Sequence, residues 1–216
     1  MAIILRLIIL ALFFLSTSAQ AQWTDRGFNF RASAAFVTDG TNETYSRGQS
    51  DLYPQTRATA TFGWNNFVDM ERDTNAAIDR RLAGGCKYQN NAARQTWRLD
   101  LPSAGVYDIS MAIGRDSNAT TNWITVQDNT TDLFSISNVA CTAGQFADAN
   151  GTVHTTANWP ANNTKRRVTF TSTTARVLLA QGGADANESA IAHMRFEYIG
   201  AGGGGLPLFL RAIGED

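Results

Sequence analysis

Apolar residues recur at every second position through much of this chain, and this alternation constrains the fold more than any other feature. In the segment WRLDL, Trp97, Leu99 and Leu101 alternate with two charged residues. Successive side chains of a β-strand point to opposite faces, so a period of two predicts a strand with one buried face. The same pattern recurs in segments 28–30, 58–64, 107–113, 124–126, 134–136, 168–170 and 192–198.

The order of these segments predicts the fold class. Only one weak helical signal, a short turn within residues 73–81, interrupts the succession of strands. Eighteen glycines against four prolines, with abundant Thr, Asn and Ser, are typical of short strands joined by turns. We therefore expect an all-β protein, an antiparallel two-sheet β-sandwich or jelly roll. Residues 177–179 are apolar on both faces, which predicts a central strand.

Two neighbouring segments predict a hairpin. Residues 97–101 and 107–113 both alternate, and the sequence Pro-Ser-Ala-Gly at 102–105 separates them. Two half-buried strands joined by so short a turn are typical of a β-hairpin.

The first 21 residues predict a signal peptide. Arg6 precedes an apolar run at 7–15, and residues 19–21 read Ala-Gln-Ala, an A-x-A cleavage signature. The run is shorter than the ~20 residues that cross a bilayer; an uncleaved anchor is the alternative. We expect a leader at 1–21, a β-sandwich domain at 22–199 and a glycine-rich linker with a short apolar tail at 200–216. The mature protein would be secreted, periplasmic or on the cell surface, without a membrane span.

Export bears on the two cysteines, Cys86 and Cys141. An even number of cysteines in an oxidising compartment favours pairing. We therefore predict a Cys86–Cys141 disulfide, although their spacing in sequence says nothing about their distance in space.

The charge balance narrows the classes of partner. The formal net charge is −1 and only 17% of residues are charged. A nucleic-acid binder shows a strong excess of positive charge, so we expect no nucleic-acid partner.

Several short segments carry a family pattern. They are FNF at 28–30, DG at 39–40, FGW at 62–64, DRR at 79–81, WRLDLP at 97–102, GVYDI at 105–109 and AIGRD at 112–116. This set resembles the galactose-binding-like β-sandwich found at the N-terminus of rhamnogalacturonan acetylesterase-type proteins, and is similar to malectin-like carbohydrate-binding modules. The resemblance implies a jelly roll that binds carbohydrate or assists a neighbouring enzyme.

The candidate ligand-binding residues are aromatic side chains with polar neighbours. Trp123 alternates with Ile124 and Val126 and is expected to point away from the core, beside Asn122. Arg115 and Asp116 precede that strand, and Trp159 lies in a polar loop. Flat aromatic faces stack on sugar rings, so Trp123, Asn122, Arg115, Asp116 and Trp159 form the predicted glycan site.

Catalytic and metal motifs are weak. The sequence has no G-x-S-x-G or Gly-Asp-Ser segment, which leaves His154 and His193 as the only histidines for a triad. His193 alternates with apolar residues beside Arg195 and Glu197, which predicts a solvent-facing polar ladder. We predict no catalytic residue and no metal site; calcium at the oxygen-rich turns 148–151 or 185–188 is the alternative.

These observations predict a non-catalytic carbohydrate-binding protein whose partner is a glycan or polysaccharide. One alternative is a structural or adhesive extracellular protein that binds other proteins, for example through the C-terminal tail. Another is a stand-alone carbohydrate esterase.

Overall fold

The structure is a computed structural model that describes residues 23–31, 42–48, 50–66, 69–71, 79–87, 94–180 and 189–202. The predicted leader, most of the predicted tail and most of segment 73–81 lie outside these residues. Within the described ranges the chain forms fifteen strands, a 3₁₀ turn at Arg80–Leu82 and one short helix, α1 (Trp159–Asn162). The strands are β1 (Asp25–Phe30), β2 (Glu43–Ser46), β3 (Gln55–Arg57), β4 (Ala60–Trp64), β5 (Asp69–Glu71), β6 (Gly85–Lys87), β7 (Gln95–Asp100), β8 (Gly105–Arg115), β9 (Thr120–Asp128), β10 (Thr131–Cys141), β11 (Gln145–Ala147), β12 (Val153–Thr155), β13 (Arg166–Phe170), β14 (Thr174–Ala180) and β15 (Ala190–Gly200).

The strands form two sheets, which confirms the predicted all-β sandwich. The larger, nine-stranded sheet has the path β12-β11-β8-β15-β1-β2, with β13 beside β8 and β5–β6 beside β15. The smaller, six-stranded sheet has the order β10-β9-β14-β7-β4-β3. The described pairs of strands are antiparallel except β1 with β2. As predicted, the strand containing residues 177–179 is central, between β9 and β7.

The core between the sheets is filled by the inward side chains of the alternating segments. Phe28 of β1 packs edge-on against Trp97 of β7 at 4.8 Å between ring centroids, and Phe30 against Trp64 of β4 at 5.6 Å. Each of these four side chains is less than 2% exposed. Edge-to-face contacts between buried aromatic rings stabilise the packing of one sheet on the other.

The predicted hairpin of residues 97–113 is wrong. β7 pairs with β14 and β4 in the smaller sheet, whereas β8 pairs with β15, β11 and β13 in the larger sheet. The turn after β7 therefore carries the chain across the core from one sheet to the other. Both arrangements bury alternate side chains, so the periodicity alone does not distinguish them.

A second apolar layer covers the other face of the larger sheet. Leu82, Ala112, Phe146, Trp159 and Ala192 form a separate buried cluster there. The indole Nε1 of Trp159 donates a hydrogen bond to the carbonyl oxygen of Met111 on β8, at 3.0 Å. The middle of the larger sheet is thus buried on both faces.

The predicted disulfide is also wrong. Cys86 and Cys141 are buried thiols that are not joined. Cys86 lies on β6 of the larger sheet opposite Ile191, whereas Cys141 ends β10 of the smaller sheet opposite Thr120. The prediction used the even number of cysteines and the predicted leader, and neither determines how far apart the two thiols lie in the fold. Burial raises the pKa of both thiols above the ordinary value.

Candidate functional site

The outward face of the smaller sheet, here called the outer face, carries the candidate site. Its centre is β14, whose Arg176 and Leu178 alternate with core residues. Arg176 lies opposite Arg98 of β7 on one side and Gln127 of β9 on the other. Leu178 lies between Thr96 and Thr125 in the same way. The pairing of β14 with both neighbours thus gathers polar side chains from three strands.

A groove opens on this outer face beside β4. Its volume is about 360 Å³, and it is lined by Tyr53, Asn65, Thr96, Arg98 and Arg176. That volume lies at the lower end of the range for small-molecule sites. The floor comes from the sheet, whereas Tyr53 comes from the segment before β3 and Asn65 from the segment after β4.

Tyr53, Arg98 and Asp100 hold one another in place in this groove. The Tyr53 hydroxyl donates a hydrogen bond to Asp100 Oδ2 at 2.9 Å, and the Arg98 guanidinium forms an ion pair with Asp100 Oδ1 at 3.1 Å. The guanidinium carbon of Arg98 lies 4.2 Å from the centroid of the Tyr53 ring. Burial and the hydrogen bond to Asp100 raise the pKa of Tyr53, so its hydroxyl stays protonated at neutral pH.

The segment before β3 positions Tyr53. The backbone N–H of Tyr53 donates a hydrogen bond to the Trp64 carbonyl oxygen, and the Trp64 N–H donates one to the Asp51 carbonyl oxygen. This close approach depends on Gly63, whose φ is +151° and whose missing Cβ would lie 2.5 Å from the Tyr53 nitrogen. The buried carboxylate of Asp51 forms an ion pair with Arg57 and so fixes the start of the same segment.

Trp123 shares the outer face with the groove but does not line it. It is half-buried, with Thr121 and Thr125 as its outward neighbours on β9, and it lies opposite Ala180 of β14. Ala180 is four residues from Arg176, which corresponds to about 13 Å along β14. The side chain of Trp123 points away from the core, as the alternation of apolar residues along β9 predicts.

Asn122 points the opposite way from Trp123. Its side chain is fully buried, donates to the Val139 carbonyl oxygen at 3.1 Å and accepts the Ala190 backbone N–H at 3.0 Å. Its amide therefore joins β9, β10 and β15, and it has no exposed group for a ligand.

The remaining predicted residues belong to the larger sheet, to the segment directly after β8 or to the layer that covers the sheet. Arg115 is buried at the end of β8 in the larger sheet, and Asp116 is half-buried just after it. Trp159 is 1% exposed in the second apolar cluster, on the other side of the molecule from the outer face. Trp159 thus has no free ring face for a sugar, because α1 packs it onto the larger sheet.

The predicted solvent-facing ladder at His193 is wrong. His193 is fully buried, and its Nε2 lies 3.2 Å from the carboxylate of Glu43, which also accepts from Arg195 at 2.8 Å and Asn29 at 2.9 Å. Trp159 covers this cluster, with its ring centroid 6.0 Å from that of His193. Burial alone would raise the pKa of Glu43, but its bonds to His193 and the nearby arginines lower it. The hydrogen bonds and ion pairs of Glu43 with Asn29, His193 and Arg195 join β1, β2 and β15 beneath Trp159.

In the candidate calcium turn at residues 148–151, the carboxylate of Asp148 is already bound by hydrogen-bond donors of the protein. Asp148 is fully buried and accepts hydrogen bonds from the backbone of Asn150 and Thr152, from His154, and from the backbone and hydroxyl of Thr164. The other candidate turn, 185–188, lies outside the described residues. Among the residues that the structure describes, no group of three or more His, Cys, Asp or Glu side chains is placed to hold a metal ion. In the same residues, no helix is long and apolar enough to cross a bilayer.

The comparisons with known proteins concern the fold. No protein-family model and no curated protein matches the chain. Among solved structures it is similar to the protein YxiM of Bacillus subtilis, with a TM-score of 0.49 and 13% identity over 82% of this chain and 41% of that one. It is also similar to a chain in the complex of the plant peptide RALF23 with FER and LLG2, with a TM-score of 0.45 and 8% identity over 81% and 40%. A third similar structure is a cycloisomaltooligosaccharide glucanotransferase of Paenibacillus sp. complexed with cycloisomaltoheptaose, with a TM-score of 0.34 and 10% identity over 70% and 20%. The chain spans less than half the length of each.

Proposed function

We propose that this chain is a secreted, non-catalytic carbohydrate-binding protein that binds a glycan on the outer face of the smaller sheet. The observation that carries the proposal is the groove of about 360 Å³, together with Trp123 on the same face. The resemblance to galactose-binding-like sandwiches supports the class of ligand, and the leader that the sequence predicts at residues 1–21 supports export.

The groove has the chemical groups that sugar binding requires. Sugars present hydroxyls and apolar C–H faces, and sites for them combine a few fixed polar groups with aromatic surface. Arg98, Arg176 and Asn65 supply hydrogen-bond donors, and Thr96 supplies a hydroxyl. An extended oligosaccharide can contact the groove at one end and Trp123 at the other.

The groove also favours binding over catalysis. Asp100 beside it already accepts from Tyr53 and Arg98, so its carboxylate is held as an acceptor. A glycosidase needs two opposed carboxyl groups at the scissile bond. Among the described residues, the side chains that line the groove include no carboxylate.

The test is a binding measurement on a panel of immobilised glycans with the wild type and Trp123→Ala. We expect the variant to lose about fivefold or more in affinity, because stacking on an aromatic ring contributes about 1 kcal/mol at such sites. The Trp123 backbone N–H, which donates to Ser189 Oγ at 2.8 Å, is unaffected by the substitution. The melting temperature of the Trp123→Ala variant is therefore expected to change little.

Trp159→Ala is the matched control, because it removes the same side chain from a fully buried position. Truncating a buried tryptophan costs ~3–5 kcal/mol, so this variant is expected to lose stability first and binding only as it unfolds. Equal losses of stability in the two variants, without a specific loss of binding at Trp123, would contradict the proposed site. No binding to any glycan would contradict the proposed function.

A further inference from the structure

We propose that the groove on the outer face recognises an acidic sugar, a hexuronate whose carboxylate is held between Arg98 and Arg176. This inference rests on the proposed function and specifies its ligand.

Arg98 and Arg176 are direct cross-strand partners on β7 and β14. Side chains in that relation have Cβ atoms about 4.5–5.5 Å apart, and like charges placed so are destabilising. Both side chains line the groove. The folded protein therefore brings two positively charged side chains from neighbouring strands to one groove.

The described carboxylates near these arginines compensate only one of them. Asp100 forms its ion pair with Arg98 and accepts the Tyr53 hydroxyl with its other oxygen. On the opposite side of Arg176, Asp132 accepts from the Gln127 amide at 2.7 Å. Within the described ranges no acidic side chain forms an ion pair with Arg176, so the groove carries one unbalanced positive charge.

A carboxylate fits this arrangement better than a neutral hydroxyl. Guanidinium groups bind carboxylates through paired, charge-assisted hydrogen bonds, and these are roughly twice as strong as neutral ones. An anion between the two arginines would also remove their mutual repulsion. The net charge of −1 provides no long-range attraction for polyanions, so selection must come from short-range contact in the groove.

The experiment compares acidic and neutral forms of the same sugar chain by isothermal titration calorimetry. The probes are short oligosaccharides of glucuronic, galacturonic and mannuronic acid, each with its carboxyl-reduced counterpart, in which CH₂OH replaces the carboxylate. We expect at least one acidic probe to bind roughly ten- to a hundredfold more tightly than its reduced form, the range that hydrogen bonds to charged groups provide.

Arg176→Gln should abolish this preference. Its melting temperature is expected to stay the same or rise, because the substitution removes a like-charge pair. Arg167→Gln is the matched control: it removes the same charge from a largely exposed site on β13, where Arg167 pairs with Asp108. It should keep the full preference for the acidic probe.

The outcomes separate this inference from the proposed function. If acidic and reduced probes bind equally and Trp123→Ala weakens both, the hexuronate assignment is wrong and carbohydrate binding stands. The assignment is also wrong if dextran sulfate binds as tightly as the uronides and depends equally on Arg176, since the groove would then be a general anion site. If none of these oligosaccharides binds and no glycan of the panel does, both proposals fail.

Discussion

Asp148 is a buried carboxylate that organises a turn through several hydrogen bonds. Its oxygens hold the backbone of the turn, His154 on β12 and Thr164 at the start of the segment leading to β13. Burial acts to raise the pKa of Asp148, but the bonds from Thr164 and His154 outweigh it, and the pKa lies below its ordinary value. The charged form is therefore favoured in the folded state.

This shift predicts a stability that depends on pH. A carboxyl group with a lowered pKa in the folded state stabilises it above the unfolded value, about 3.9, and this contribution is lost as pH falls through the lower folded pKa. Asp148→Asn should lower the free energy of unfolding at neutral pH by roughly 1–3 kcal/mol. Urea titrations from neutral to acidic pH should show this deficit shrinking below about pH 4. A deficit that stays constant with pH would mean that the charge of Asp148 contributes nothing.

At the scale of an element, β4 supports the groove through its contact with the segment that carries Tyr53. Gly63 makes that contact possible, because an added Cβ would lie 2.5 Å from the Tyr53 nitrogen and 2.7 Å from the Leu52 carbonyl carbon. Both obstacles are backbone atoms, which cannot rotate away as the end of a long side chain can. The groove therefore depends on a residue that does not line it.

Gly63→Ala is expected to destabilise the protein and to weaken glycan binding together. The positive φ alone costs about 1–3 kcal/mol for a residue with a Cβ, and the displaced backbone moves Tyr53 away from Arg98 and Asp100. Gly85→Ala on β6 is the control, since its new Cβ meets nothing nearer than 3.6 Å. Thermal melts and binding titrations of both variants provide the check. Equal behaviour of the two would refute the role assigned to Gly63.

At the scale of the whole molecule, the two sheets share one core. Cys86 from the larger sheet and Cys141 from the smaller sheet belong to the same buried cluster as the aromatic residues between the sheets. Unfolding of either sheet exposes part of that cluster, so we expect the sandwich to unfold as one cooperative unit.

The thiols provide a measurement of this cooperativity. Native protein should react negligibly with a thiol reagent, because burial lowers access and raises the pKa of both groups. Two thiols per chain should become reactive together across the urea transition measured by circular dichroism. Cys86→Ala and Cys141→Ala assign the signals. If Cys86 reacts at lower urea than Cys141, the edge formed by β5 and β6 opens independently of the rest.

The alternation of apolar residues predicted the strands, the inward aromatic residues and the outward direction of Trp123, because burial on one face leaves a period of two in the sequence. It did not predict which strands are neighbours. Arg98 and Arg176 lie far apart in sequence, and only the pairing of β7 with β14 brings them together. The hairpin prediction failed for the same reason. Trp159 lies in a polar segment, yet the small side chains of Ala112 and Ala192 leave room for its ring on the larger sheet.

The pairing of β1 with β15 has a consequence for biosynthesis. Asp25 lies opposite Glu197, so the earliest described strand finds its antiparallel partner only in the last one. While the chain is being made, β1 can pair with β2 on one edge, but its other edge lacks its native partner until β15 emerges. An open strand edge invites pairing with other chains. The nascent protein is therefore open to pairing with its own copies at this edge until β15 has been made, whereas the finished sheet pairs the edge.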